Sequence, residues 1–370
     1  MGNVIIGLGN TGSQIVKLIA SNQNFNDVEL FAIDSVTSSI TMNDLNRIKY
    51  KSIMSDQKSG SGRNRERGLE MYRFHESNGD FDDMYESCKD AKSPVIVITS
   101  AAGGTGSGSC AQVCQSIVDR DVEVVPIIIC PNKNDPDAFH LNTNDLFIDL
   151  GNVVRSDNTP GVVSYATFEN RRGDADYLPV NTEVMELIEI IFGMKYSKSD
   201  KDTIDDSDLD TILNTPGRFL AVSAKGNSVD TLKRELTRKL FTGFQPAFSE
   251  SDSLKRTLVV AYALKSIFAD VEYKQVFGEI VDRLGNVYDE YRNITNDDND
   301  GVYEGNIIIA GMDRSAVKEI HNDYQDAESI SSGISKSTRP DFMKRKKAFV
   351  REVKRENGST EKLFDWGNKT

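Results

Sequence analysis

The chain has 370 residues, with 57 acidic and 44 basic side chains and a formal net charge of −13. This length predicts two domains, and the acidic balance argues against nonspecific or sequence-specific binding of nucleic acid. No apolar run approaches the ~18 residues of a membrane span, and the first residues lack the pattern of a signal peptide. We therefore expect a cytoplasmic protein that binds no membrane.

Cysteine and histidine are too rare to build a disulfide framework or a histidine-based zinc site. The chain has four cysteines and three histidines, and Cys110 and Cys114 lie about one helical turn apart. In a chain of this size, this usage is typical of reduced thiols in a cytosolic core. We predict no metal site built from protein ligands.

Strand-like and helical segments alternate through the first half of the chain. Continuous runs of β-branched residues predict buried strands, and the segments between them predict helices. The predicted strands are 4–9, 28–34, 94–100, 122–130 and 162–168, and the predicted helices are 13–21 and 106–119. This order predicts an α/β fold with a parallel, Rossmann-like sheet covered on both faces.

A long helix and a second, smaller α+β domain are predicted next. Asn181 is the predicted cap of a helix whose apolar residues at 184, 187, 188, 191 and 192 form one face. Further on, strands of a smaller second sheet are predicted at 219–224, 257–264 and 306–313, helices around 228–242 and 270–293, and a loop at 293–301. The predicted divisions are a first domain (1–180), a central helix (181–200), a second domain (201–340) and a basic C-terminal helix and tail (341–370).

A glycine-rich turn follows the first predicted strand directly. This first glycine turn, GLGNTG (7–12), matches G-x-G-x-x-G and opens a predicted helix. Glycines let the backbone approach an anion, and a helix start offers unpaired N–H groups with about half a positive charge. Asp34 ends the next predicted strand, where a dinucleotide-binding fold has its ribose-binding acid. Taken alone, this turn predicts a NAD-type domain.

A second glycine turn, SAAGGTGSGS (100–109), changes that interpretation. It also follows a buried strand and opens a helix, and seven of its ten residues are Gly or Ser. Its consecutive N–H groups, with the hydroxyls of Thr105 and Ser107, suit phosphate oxygens. The G-x-x-x-x-G-K-[ST] pattern of P-loop proteins is missing from the sequence. A dinucleotide dehydrogenase needs one phosphate loop, and this chain offers two.

A third segment, KSGSGRNRERG (58–68), has Gly60 and Gly62 beside Arg63. By itself such a segment is typical of a disordered linker. Together with two phosphate loops it is a candidate lid over a terminal phosphate.

The GGTGSG segment, preceded by two alanines and a buried strand, resembles the signature loop of the tubulin/FtsZ family of GTP-dependent filament proteins. Segment 7–15 is similar to the family's first nucleotide loop, and 60–68 is similar to the FtsZ loop that faces the γ-phosphate. The resemblance runs from about residue 2 to about 315. Ala102 replaces the first glycine of the signature loop, and Thr203 stands where FtsZ has asparagine. Because of these departures and the basic tail, the chain resembles the TubZ-type proteins of plasmids and phages more than it resembles a cell-division FtsZ.

The resemblance implies that the first domain binds GTP or GDP, with Mg²⁺ held mainly by phosphates and water. It also implies the residues at the phosphates: Gly9, Asn10, Thr11, Gly12, Gln14, Gly60, Ser61, Gly62, Arg63, Asn64, Ala102, Gly103, Gly104, Thr105, Gly106 and Ser107. Tyr177 and Asn181 fall where the family contacts guanine. Asn170, just past a predicted strand, is a second candidate, since a buried asparagine can pair with the guanine edge. Each asparagine could equally be a helix cap or a turn residue.

The acidic stretch after the predicted long helix contains Asp205 and Asp208, the acidic pair. Two carboxylates three residues apart lie on one face of a helical turn and can both reach one water or cation. The stretch resembles the loop through which one subunit of the family reaches its neighbour's nucleotide. The resemblance therefore implies a GTPase whose catalytic centre is complete only between stacked subunits. Such a head-to-tail contact propagates into a filament.

The implied role is segregation or positioning of plasmid or phage DNA by a filament-forming GTPase. One alternative is a NAD(P)-dependent oxidoreductase that uses the first glycine turn and Asp34. Another is a nucleotide-binding structural protein that assembles without turnover, which Thr203 leaves open.

Basic residues cluster near the C-terminal end of this acidic chain. They are Lys344, Arg345, Lys346, Lys347, Arg351, Lys354 and Arg355, in a segment of mostly helical propensity with an apolar stripe. The segment could be a solvated terminal helix, could dock onto the acidic surface of a neighbouring subunit, or could bind a partner. The resemblance alone implies a DNA-bound adaptor as that partner.

Overall fold

The computed structural model describes residues 3–36, 44–54, 60–92, 94–132, 134–170, 178–196, 203–242, 258–284, 287–297, 301–312, 351–354 and 360–363. The chain divides into two compact units, Met1–Ile320 and His321–Thr370. The divisions predicted at residues 180, 200 and 340 stay predictions.

The strands of the first unit are β1 (Asn3–Leu8), β2 (Val28–Asp34), β3 (Ile48–Ser52), β4 (Val95–Ser100), β5 (Val124–Cys130), β6 (Ser164–Glu169), β7 (Gly217–Gly226), β8 (Leu258–Ser266), β9 (Val287–Asn296) and β10 (Tyr303–Met312). Its helices are α1 (Gly9–Ser21), α2 (Arg65–Ser77), α3 (Asp82–Lys89), α4 (Thr105–Val118), α5 (Asp137–Gly151), α6 (Leu178–Tyr196), α7 (Asp206–Leu213), α8 (Val229–Thr242) and α9 (Ala269–Leu284). None of these described helices is long and apolar enough to cross a membrane.

The ten strands form one sheet in the order β3-β2-β1-β4-β5-β6-β7-β10-β8-β9. From β3 along this order to β7, adjacent strands pair in parallel, which confirms the parallel arrangement predicted for β1, β2, β4, β5 and β6. Strand β10 runs antiparallel to β7 and β8. A separate second sheet was expected, and that prediction is wrong. Strands β6 and β7 pair in parallel at Ser164–Gly217 and Tyr165–Arg218, so the later strands continue the first sheet. The α/β fold class itself is confirmed.

Helix α6 connects the packing of the two halves of the sheet. It contacts α1, α7, β6, β7 and β10, and its side chains share one buried cluster with residues of β1, β4, β8 and β10. The predicted apolar face is buried, and Ile190 and Met194 are buried as well. Because α6 is surrounded by other elements, more than one side of it is apolar. Separate clusters lie under α2 to α5 and under α8 and α9.

Several element boundaries differ from the predictions. Helix α1 begins at Gly9 instead of residue 13, because the left-handed backbone of Gly9 (φ 68°) turns the chain from strand to helix without a loop. Helix α6 begins at Leu178, so Asn181 lies inside it and is not its cap. Strand β9 replaces the end of the helix predicted at 270–293, since Val287, Tyr291 and their neighbours favour strand and pair with β8.

The second unit contains two described strands, the first of which lies where a helix was expected. Strand β11 (Arg351–Lys354) pairs antiparallel with β12 (Thr360–Leu363). Pairing with β12 supplies β11 with interstrand backbone hydrogen bonds, which local helix propensity does not take into account. The prediction of a helix is wrong for Arg351–Lys354. Residues 341–350, with most of the basic cluster, lie outside the described residues.

All four cysteines are free and buried, as predicted. Burial raises the pKa of Cys88 and Cys130 to about 12, and a hydrogen bond with Cys110, together with burial, raises the pKa of Cys114. The thiolate is the reactive form, and three pKa units lower its fraction at pH 8 by roughly 10³-fold. We expect very slow reaction of the native protein with a thiol reagent and rapid reaction of four thiols in urea. Fast labelling of any native cysteine would contradict this expectation.

Candidate functional site

Three glycine-rich segments meet at the carboxyl ends of β1 and β4. These strands are adjacent and parallel, so the two glycine turns that follow them lie side by side. A Cβ on Gly9 would lie 2.9 Å from the main-chain nitrogen of Gly106. Residues 60–64, the 60–64 loop, pack against the second turn: a Cβ on Gly104 would lie 2.6 Å from the nitrogen of Asn64. We call the surface formed by these three segments the glycine face.

Most glycines here are required by packing within the protein. A Cβ on Gly106 would lie 2.5 Å from the carbonyl oxygen of Leu8, and one on Gly12 would lie 2.5 Å from that of Ile98. A Cβ on Gly108 would overlap the carbonyl oxygen of Arg65. Packing within the protein therefore requires glycine at these positions, a cause that the sequence analysis did not consider, and their contact with a ligand stays a prediction.

Gly103 is different from its neighbours. A Cβ there would meet only the carbonyl oxygen of Ser100, at 3.8 Å, and the backbone is not in the left-handed region. Nothing among the described residues therefore requires glycine at this position. The missing side chain leaves space through which an external group can approach the backbone of the turn.

The helices that follow the two glycine turns begin without caps. Neither α1 nor α4 has a side-chain hydrogen bond at its N-cap or an acidic residue in its first turn. Their first N–H groups and partial positive charge suit a phosphate or another anion. On α1, Asn10 is exposed, and Thr11 and Gln14 are half-buried.

Helix α2, which follows the 60–64 loop, is capped. The side chain of Asn64 accepts a hydrogen bond from the nitrogen of Arg67 at 3.0 Å, and Glu66 lies in the first turn. Asn64 was predicted as a nucleotide residue, but this oxygen is used by the helix cap. An anion at this loop would therefore contact Arg63 and backbone groups of the loop more readily than the capped start of α2.

Three buried hydroxyl groups connect the segments of the glycine face. The Thr105 hydroxyl donates to Ser61 Oγ at 3.0 Å and lies 2.7 Å from Ser35 Oγ. Ser35 follows β2, Ser61 belongs to the 60–64 loop and Thr105 begins α4. Ser35 was missed by sequence reasoning, since a serine in a short turn forms no recognisable pattern. Ser107 was predicted to face phosphate, but its hydroxyl contacts the carbonyl oxygen of Asn142 at 3.4 Å.

Asn142 of α5 also joins the site, although no sequence pattern indicates it. Its Nδ2 lies 3.0 Å from the carbonyl oxygen of Ala102 and 3.2 Å from that of Arg63. Sequence reasoning assigned no contacts to residues 131–150.

The predicted guanine contacts are placed unequally by the structure. Asn181 lies in the first turn of α6, is 7% exposed, and its Oδ1 has no hydrogen-bond partner among the described residues. An unpaired buried acceptor is unfavourable, so it suits a ligand that donates hydrogen bonds. Asn170 follows β6, and its main-chain nitrogen donates to Cys130 at 2.8 Å. Tyr177 lies outside the described residues.

Asp34, the ribose-binding acid of the oxidoreductase alternative, is buried at the end of β2. Its carboxylate accepts a hydrogen bond from the nitrogen of Ser35 at 2.7 Å. Burial, with a contribution from the charge of Asp34, raises the pKa of nearby Tyr50 to about 12. A ribose hydroxyl would have to reach a carboxylate that is turned into the protein, which disfavours this alternative.

The acidic pair forms a capping box at the start of α7. Asp205 Oδ1 accepts from the nitrogen of Asp208 at 2.9 Å, and Asp208 Oδ2 accepts from the nitrogen of Asp205 at 3.1 Å. One oxygen of each carboxylate takes no part in this box. Asp205 is exposed and Asp208 half-buried, so both can meet a group from outside the chain.

The acidic pair and the glycine face lie at opposite ends of the strands. Helix α6 follows the carboxyl end of β6, and its Glu189 accepts a hydrogen bond from Asn22, just past the far end of α1. Leu213, the last residue of α7, accepts from Ser164, the first residue of β6. The 19 residues of α6 span about 28 Å, and this helix runs from the end of the sheet with the glycine face to the end with α7. The glycine face and the acidic pair therefore cannot serve one ligand within a single subunit.

Comparisons with known proteins identify the fold. No family model and no curated protein matches the sequence. The chain is similar to a GTPγS-form protofilament of TubZ from Bacillus thuringiensis serovar israelensis, with a TM-score of 0.70 and 19% identity over 90% of this chain and 94% of that one. It is similar to CetZ from Methanosaeta thermophila (TM-score 0.67, 16% identity, 90% and 93% covered). It is also similar to an FtsZ dimer from M. jannaschii (TM-score 0.64, 13% identity, 84% and 88% covered).

These identities support a likeness of fold, which agrees with the resemblance seen in the glycine turns. We conclude that the chain has the fold of the tubulin/FtsZ proteins, with TubZ structures among those that it resembles.

Proposed function

We propose that the chain binds GTP at the glycine face, assembles head-to-tail into filaments and hydrolyses GTP between subunits. The observation that carries this proposal is the convergence of two uncapped helix starts beside Gly103, where the protein leaves space for a ligand. The unpaired Asn181 Oδ1 supports guanine as the base. Mg²⁺ would be held by water and by phosphate oxygens, and it would neutralise the negative charge of the phosphates.

The acidic pair then acts on the nucleotide of the adjoining subunit. Phosphoryl transfer to water depends on positioning and charge stabilisation more than on a strong base. The carboxylate oxygens outside the capping box are available to orient the attacking water. A contact between the glycine face of one subunit and the α7 end of the next joins unlike surfaces, so it does not close and continues into a filament.

The proposal includes a cellular role and a location. We propose that the filament positions or segregates plasmid or phage DNA in the cytoplasm, through an adaptor that binds the basic C-terminal segment. Support comes from the likeness to TubZ of Clostridium botulinum phage c-st, with a TM-score of 0.64 and 12% identity, and from the charge of the segment.

Turnover that depends on assembly is the expected result. With GTP and Mg²⁺, light scattering and pelleted protein should rise, and phosphate release per subunit should increase with protein concentration, because an isolated subunit lacks the acidic pair of its neighbour. ATP is the matched control for base preference, and NADH fluorescence tests the oxidoreductase alternative. Equal specific turnover in dilute, monomeric protein would contradict the proposal, and filaments without phosphate release would support the structural alternative.

A further inference from the structure

The 60–64 loop adopts a backbone conformation that needs support from elsewhere. Gly60, Gly62 and Arg63 have φ values of 80°, 64° and 64°. Glycine adopts such values readily, but Arg63 does so against steric crowding from its Cβ. Arg63 is also exposed, so burial does not hold it. The contacts of its carbonyl and guanidinium groups must stabilise this conformation.

Asn142 contacts the loop and the second glycine turn at the same time. Its Nδ2 lies 3.2 Å from the carbonyl oxygen of Arg63, 3.0 Å from that of Ala102 and 3.4 Å from that of Gly103. The amide nitrogen carries two hydrogens, so it can donate to Arg63 and Ala102 together. One side chain therefore connects the strained residue of the loop to the turn before α4.

The same part of α5 makes further contacts with the loop and with the start of α2. The guanidinium of Arg63 lies 4.7 Å from the centre of the Phe139 ring, a favourable cation–π distance. The carbonyl oxygen of Asn142 accepts from Arg65 Nη1 at 3.3 Å. Arg65 in turn forms a 2.6 Å ion pair with Asp149. Helix α5 is thus fixed to the 60–64 loop and to the start of α2, which follows it.

We propose that Asn142 is a positioning residue that latches the 60–64 loop to the second glycine turn. The inference rests on the proposed function, and it assigns the latched loop to the terminal phosphate of a bound nucleoside triphosphate. A diphosphate lacks that phosphate. The latch therefore contributes to triphosphate binding and hydrolysis and contributes little to diphosphate binding.

Two substitutions at Asn142 test the latch. Asn142→Ala removes the donor, and Asn142→Asp keeps the shape but turns a carboxylate towards carbonyl oxygens. Ile148→Ala is the control, because Ile148 is exposed on the same helix and takes no part in the contacts described above. We expect calorimetry to show roughly tenfold weaker GTP binding for both Asn142 variants, with GDP affinity little changed. Without nucleotide, amide hydrogen exchange at residues 61–64 should be faster in both Asn142 variants than in the wild-type chain.

The outcomes separate this inference from the proposed function. Equal losses of GTP and GDP affinity would mean a general structural role and would overturn the latch. Unchanged amide hydrogen exchange at residues 61–64, together with an unchanged ratio of GTP to GDP affinity, would overturn it as well. A wild-type chain that binds neither nucleotide would overturn the proposed function and the triphosphate role with it. The exchange measurement would then decide whether Asn142 holds the loop.

Discussion

Replacing Gly104 with alanine is expected to abolish nucleotide binding, with an affinity loss of roughly 100-fold or more, equivalent to about 2.8 kcal/mol. The new methyl group would lie 2.6 Å from the nitrogen of Asn64 and 2.7 Å from the carbonyl carbon of Arg63. Backbone atoms cannot move aside as a flexible side chain can, so the 60–64 loop must shift away from the second glycine turn. A titration with fluorescent GTP measures the loss, and thermal unfolding should show destabilisation as well.

Two other glycine-to-alanine changes give this prediction its controls. In the part of the chain that the structure describes, the methyl group of Gly103→Ala meets no atom closer than 3.8 Å. The melting temperature without nucleotide should therefore be retained while GTP binding falls. Gly193→Ala in α6 also meets no described atom within 4 Å, and it should gain up to about 1 kcal/mol of helix stability without changing GTP affinity. Normal GTP binding by Gly103→Ala would contradict the assignment of the space beside Gly103 to the ligand.

The first half of the fold was predictable because buried parallel strands are continuous apolar runs. Each of the five predicted strands there lies within two residues of β1, β2, β4, β5 or β6. Strand β3 was missed, since IKYKS is too polar for that pattern. In the second half, the pairing of β6 with β7 and the strand at Val287–Asn296 depend on partners distant in sequence, which local patterns do not reveal.

The candidate site was predictable only where glycine spacing marks it. The sequence placed the two glycine turns and the 60–64 loop together through their motifs, and the structure brings these segments into contact. The sequence could not show which glycines are required by packing and which leave space for a ligand, because contacts such as that of Gly106 with Leu8 depend on the tertiary structure. Nor could it find Ser35 or Asn142, whose contacts join residues as far as 79 positions apart.

Removing the charges of the acidic pair is expected to lower GTP turnover by roughly 10²-fold or more, by analogy with the loss of one stabilising group. The capping box makes asparagine the better replacement. Asp205→Asn and Asp208→Asn keep oxygens that can accept the two capping hydrogen bonds, whereas Asp205→Ala would also destabilise α7 by about 1 kcal/mol. Phosphate release should fall in the asparagine variants at unchanged melting temperature, and their filaments should form and persist with GTP.

Mixing variants tests whether the acidic pair acts on a neighbour. Asp205→Asn subunits bind GTP but lack a full acidic pair, whereas Gly104→Ala subunits keep the pair but bind no nucleotide. Where the glycine face of the first meets the α7 end of the second, one complete centre forms. We therefore expect the mixture to release phosphate faster than the sum of the separate proteins, with a maximum near equal proportions. Activity that only adds up would mean that the acidic pair does not complete the site of an adjoining subunit, even if each variant alone is inactive.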